Sequence, residues 1–229
     1  MIEALRLCED AEIDFSQAFR YQYVASPKPL SLPGFSAYEI GSTYVYSGAG
    51  LRAKPLIDKS GAVFGVVLGI AVDHDGATAE EALSRLISKA TSSTAQDKME
   101  TYLAKLAGRY AIFAKLGRGA FFYCDPVGMI GAVYAPETQR IASTPTLCLD
   151  RPYQDHPLYD AALIAKGQGT YGFDHTRDAH VQRLNANHRM DLTSFVSTRF
   201  WPRAADSFDH GEKIYGAAFD EIIAAEQRI

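Results

Sequence analysis

The side chains able to do chemistry in this sequence are few and widely spaced. Asp73, His74 and Asp75 put three potential ligands in a row. A calcium loop needs carboxylates continuing at alternate positions and a closing glutamate; both are missing, so the stretch reads as a turn leading into a helix. The six histidines never stand four apart around a glutamate, which removes the zinc-protease pattern. His175 and His180 flank a charged turn and are expected in solvent. The three cysteines, Cys8, Cys124 and Cys148, are an odd number without CxxC spacing, which points to neither a disulfide framework nor a zinc knuckle. Cys124 and Cys148 lie in apolar segments and read as small core residues, since no charged activator of a reactive thiol accompanies them. Ser47-Gly48-Ala49-Gly50 is glycine-rich but lacks the lysine of a P-loop, and reads as a loop. No metal and no cofactor is implied. What is left is a corner, Asp125-Pro126-Val127-Gly128, set between two runs of apolar residues. It is either a catalytic carboxylate between buried strands, or a turn in which Asp125 satisfies backbone amides, Pro126 fixes φ and Gly128 takes a positive φ.

The elements that must position these residues follow from the hydrophobic pattern. The first sixty residues carry few signals beyond a proline-rich connector, Ser26 to Gly34, and a strand-like alternation from Ala37 to Gly48. Ala62 to Val72 is continuously apolar, as expected of a central strand covered on both faces. Thr78-Ala79-Glu80-Glu81 has the form of a capping box, and Leu83, Leu86, Ile87 and Ala90 give the helix one apolar face. Thr94 is placed to cap a second helix, with Met99, Tyr102, Leu103 and Leu106 on its apolar side and Gly108 as its stop. Arg109 to Ala135 then reads as a meander of three short strands, the first two joined at Gly117-Arg118-Gly119 and the last two by the aspartate corner. Arg140 to Ser143 makes another strand, and Pro157 to Lys166 a helix stopped by Gly167. Short strands surround Asn185-Ala186-Asn187, and Ser207 to Ile229 is patterned as an amphipathic helix. This order lacks regular strand–helix alternation, so the expected class is α+β with mostly antiparallel sheets.

Composition bounds the function classes. A hydrophobic fraction of 47% and a charged fraction of 22% are ordinary globular values. A net charge of −4 without clustered Lys and Arg gives no footprint for nucleic acid and no basic membrane patch. The longest uncharged apolar run falls short of the roughly 18 residues that cross a bilayer. The acidic start lacks the form of a secretory signal. A soluble, cytoplasmic protein is expected.

Taken in order, four stretches resemble the glutaminase half of asparagine synthase-like proteins. Leu106, Gly108, Tyr110, Ala111 and Phe113 match that family's L-x-G-x-F-A-F strand. Asp125, Gly128, Val133 and Tyr134 match its R-D-x-x-G-x-x-P-L-Y corner, and Ala142 and Ser143 its F-A-S-E segment. Arg183, Leu184, His188, Phe200 and Trp201 are similar to the later R-L-P-P-G-H and R-Y-W elements. The resemblance runs from about Gly61 to Pro202 and implies an Ntn-hydrolase-like four-layer α/β/β/α sandwich over residues 1–206. Residues 207–229 would then lead toward a synthetase-like, ATP-using domain. That domain's S-G-G-x-D-S pyrophosphate loop is not in the sequence.

The departures from the family bear most on function. Family glutaminases use an N-terminal cysteine whose own α-amino group is the base. Here Met1 is followed by Ile2, and the nearest thiol is Cys8. The oxyanion asparagine falls at Leu68, beside Gly69, and its loss alone costs about 2.7–4 kcal/mol of transition-state stabilisation. The S-D-T-E clamp on glutamine has no counterpart around Ser92 to Asp97. Leu68, Gly69, Asp125 and Gly128 are therefore the candidates for a remnant pocket, with no catalytic residue among them. The expected role is a non-catalytic scaffold or docking partner of a synthetase-like domain or subunit, with self-association open. Two alternatives stand beside it: an amidohydrolase uncovered by cleavage before Cys8 or Ser26, and a small-ligand module reusing the pocket.

Overall fold

The computed structural model describes residues 1–73, 78–91, 93–202 and 223. The C-terminal amphipathic stretch (save Ile223), residues 74–77 of the ligand-rich turn and Ser92 of the clamp region fall outside the described residues. Two six-stranded sheets carry the architecture, and every strand pair in them is antiparallel. With the helices, this is an α+β protein.

The first sheet is built mainly from segments with weak sequence signals. β1 (Tyr23–Ser26) lies between β3 (Thr43–Gly48) and β9 (Arg140–Ala142); β2 (Phe35–Ile40) pairs with β3, and β8 (Val133–Ala135) joins β9 to β10 (Gln182–Arg183). The strand expected over Ala37–Gly48 is thus a hairpin. Gly41, at φ +65°, turns the chain between Ile40 and Thr43, and the apolar alternation continues through the turn, which hides it from a pattern reading. The second sheet runs β12 (Val196–Arg199), β11 (His188–Asp191), β7 (Gly119–Cys124), β6 (Leu106–Leu116), β5 (Val63–Asp73), β4 (Ala53–Ile57). β5 is an interior strand, flanked by β4 and β6 and second from the sheet's edge rather than at its centre, and its uncharged run is covered on both faces. Val66 and Leu68 face one core while Val67 and Ala71 face another.

Three hydrophobic clusters locate the layers. One lies between the sheets, with Tyr23, Ala25, Ile40 and Val45 of the first meeting Val66, Leu68, Phe113 and Phe122 of the second. Its rings interlock: Phe113 and Phe122 centroids are 4.8 Å apart, and Tyr23 meets Phe113 edge-on at 5.8 Å. A second cluster packs α3 (Ala79–Ser88) and α4 (Ala95–Leu103) on the outer face of the second sheet. The third packs α1 (Glu3–Asp10), α2 (Phe15–Ala18) and α5 (Pro145–Cys148) on the outer face of the first.

Several local expectations are corrected. Neither Thr78 nor Thr94 makes a side-chain cap bond. Glu80, next to Glu81 of the expected capping box, instead reaches across to Arg52 at 2.5 Å. Gly108 does not stop α4, which ends at Leu103. It sits inside β6 at φ +123°, against the Ile70 carbonyl. The helix expected over Pro157–Lys166 is one turn only, α6 (Ala161–Ala165), because Asp160 caps it by accepting from the amides of Ala162 and Leu163. Finally, the three-strand meander is not a single sheet. β6 and β7 pair with each other, but β8 belongs to the opposite sheet, so the aspartate corner carries the chain across the sandwich.

Candidate functional site

The corner is built around one carboxylate. Asp125 is fully buried and accepts hydrogen bonds from the amides of Val127 (3.1 Å), Met129 (3.0 Å) and Ile130 (3.4 Å). Its own amide donates to the Tyr110 carbonyl at 2.9 Å, tying the corner back to β6. Gly128 (φ +66°) and Gly131 (φ +76°) supply the left-handed conformations of two successive turns. A side chain at Gly128 would meet nothing within 4 Å. Asp125 is consumed by the backbone, so the corner is structural, and its lasting effect is to aim Met129 and Ile130.

Those two side chains form one wall of a cleft of about 690 Å³ at the end of the sandwich where β1 begins. Tyr21 and Gln22 come from just before β1, Gly69 and Ile70 from β5, Gly108 and Arg109 from β6, and Gly50 to Arg52 from the β3–β4 connection. The site follows from strand alternation. Ala111 and Phe113 point between the sheets, so Arg109 continues that face to its open end, and Ile70 lies opposite it in register. The backbones of β5 and β6 approach closely here. A Cβ on Gly69 (φ +84°) would lie 2.2 Å from the Arg109 carbonyl oxygen, and one on Gly108 2.3 Å from that of Ile70.

Of the four remnant-pocket candidates from sequence, Gly69 alone lines this cleft. Its amide donates to the Arg52 carbonyl at 2.7 Å and is spent there. Leu68 is buried in the inter-sheet core, and Asp125 and Gly128 lie in the corner behind the cleft wall. Cys8 is buried on α1 and Ser26 is buried at the far end of β1. Cys124 belongs to the inter-sheet core and Cys148 to the cluster under α5. Burial pushes all three thiols up, Cys124 to about 12, so none is primed as a thiolate. Ser143 stands beside the start of β1, where its hydroxyl accepts from the Tyr23 amide (3.0 Å) and donates to the Tyr23 carbonyl (3.2 Å).

The residues that give the cleft its character, Tyr21, Gln22, Arg52 and Arg109, carry no sequence motif; the β5–β6 register brings Arg109 beside Gly69, the Gly69 amide holds Arg52, and the approach to β1 of the facing sheet supplies Tyr21 and Gln22. Arg52 is engaged: one nitrogen donates to the Gly69 carbonyl (3.3 Å) and the other pairs with Glu80. No cysteine, serine, threonine, histidine or acidic residue is among the described residues lining the cleft. Among the described residues no group of three or more His, Cys, Asp or Glu side chains is arranged to hold a metal ion, and no helix is long and apolar enough to cross a membrane. No protein-family model matches the chain, and no curated protein matches it.

Proposed function

We propose that this chain is the glutaminase-like domain, of Ntn-hydrolase type, of an asparagine synthase-like amide-forming protein, acting without hydrolytic chemistry of its own as a scaffold or docking partner for an ATP-using synthetase-like domain or subunit. The carrying observation is the cleft at the start of β1. It is open and well formed, yet none of its described lining residues is a thiol or hydroxyl nucleophile with a base in reach, as acyl transfer requires. Tyr21 brings a phenol, and Arg52 and Arg109 bring guanidinium groups, which are hydrogen-bond donors without an acceptor. The order of helices, sheet, sheet, helices around three cores supports the layered sandwich that the sequence resemblance implies. The aspartate corner supports it too, as a turn of the family's pattern whose carboxylate is structural. The test is ammonia release from L-glutamine by the purified chain. The expected rate equals the enzyme-free blank, with and without Cys8→Ala. Steady glutamine hydrolysis by the unmodified chain would overturn the non-catalytic reading.

A further inference from the structure

We propose that the cleft at the start of β1 binds a small oxyanion, a carboxylate or a phosphate ester, carried on an apolar body. Arg109 lines the cleft, is exposed, and makes no ion pair among the described residues. Arg20 stands at its edge: the guanidinium lies 4.8 Å over the Tyr21 ring, and its Nε is a neighbour that a side chain at Gly50 would meet. Arg20 also has no carboxylate partner among the described residues. In a chain of net charge −4, these two guanidiniums, without an ion-pair partner among the described residues, bring positive charge to one cleft. The same walls are apolar and open, with Ile70 48%, Met129 59% and Tyr21 59% exposed. A guanidinium offers a planar fork of donors that fits a carboxylate or phosphate in two bonds, and the volume of about 690 Å³ suits a small ligand. Since no acidic side chain is among the described lining residues, the ammonium of a zwitterionic amino acid would go unpaired. The preferred ligand is an anion without that ammonium. This inference rests on the cleft and its arginines rather than on the family reading, so each can fail alone.

The experiment is calorimetric titration of the full chain with 3-phenylpropionate, phenyl phosphate, the neutral 3-phenylpropanamide and the zwitterion L-phenylalanine. At least one of the two anions is expected to bind about tenfold or more tighter than the amide and L-phenylalanine, as charge-assisted bonds require. Which anion is tighter separates the carboxylate from the phosphate source. Binding is expected to weaken as salt rises from about 50 to about 500 mM. Arg109→Gln and Arg20→Gln are surface changes whose folding is checked by near-ultraviolet circular dichroism; each is expected to weaken the anion by about tenfold. Binding of the amide or of L-phenylalanine as tight as that of the tighter of the two anions, indifference to both substitutions, or no binding by any probe would each overturn the assignment.

Discussion

Asp125 and Asp178 are fully buried carboxylates that spend themselves on structure, and their removal has calculable costs. Asp125→Ala leaves the amides of Val127, Met129 and Ile130 without their acceptor. A loss of about 2–4 kcal/mol is expected, read as a lower urea midpoint with unchanged m, and Asp125→Asn, which keeps one acceptor, is expected to lose less. Asp178 takes both arms of Arg151, at 2.8 and 3.1 Å, and the amides of Gln154 and His180. Burial by itself would raise its pKa; Arg151 and the two amides outweigh this and hold the carboxyl below the usual aspartate value. The folded pKa lies below the unfolded one, so this stabilisation is full above about pH 4 and is lost as pH falls through the folded pKa. Asp178→Asn is therefore expected to cost about 3 kcal/mol at pH 7 and to flatten the acid limb of a stability–pH curve. A variant whose stability still falls as steeply as the parent's below about pH 4 would show that another group carries the acid sensitivity.

At the scale of elements, β5 and β6 show how tightly the cleft is tied to the fold. Gly69 and Gly108 both hold positive φ where the two backbones meet, and a methyl at either would enter a carbonyl oxygen of the facing strand. Gly69→Ala combines left-handed strain with overpacking, and about 2–4 kcal/mol of destabilisation is expected by urea unfolding. The same step would push the Ile130 side chain out of the cleft wall, since its Cδ1 lies 2.5 Å from the added carbon. The corner works at this scale as well. Chain order and alternation announce two strands around Asp125, but not that they belong to different sheets. The carboxylate clamps the turn, Gly128 and Gly131 reverse the chain, and β8 leaves the face that β7 occupies.

At the scale of the whole molecule, three cores divide the cysteines: Cys124 lies between the sheets, while Cys8 and Cys148 lie under the helices of the first sheet. All three are expected to be unreactive toward Ellman's reagent in the native state and to titrate fully in guanidinium; a thiol reacting at once in native buffer would contradict this packing. The fold class is legible along the chain. The uncharged run of β5, the β6–β7 hairpin turn at Gly117-Arg118-Gly119 and the lack of strand–helix alternation lead to antiparallel sheets with helices, because hydrophobic period and turn chemistry are local properties. The remainder required the folded chain. α1 and β1 are short and their burial depends on distant partners: Glu3 donates its amide to the Leu149 carbonyl and Val24 pairs with Ala142. The cleft assembles residues from before β1 to the corner after β7, and their meeting depends on sheet register and on which face each strand presents. Neither is written in the neighbours of any one residue, so Leu68 was a candidate by position and proves to be core, while Arg109 had no local mark and proves to line the cleft.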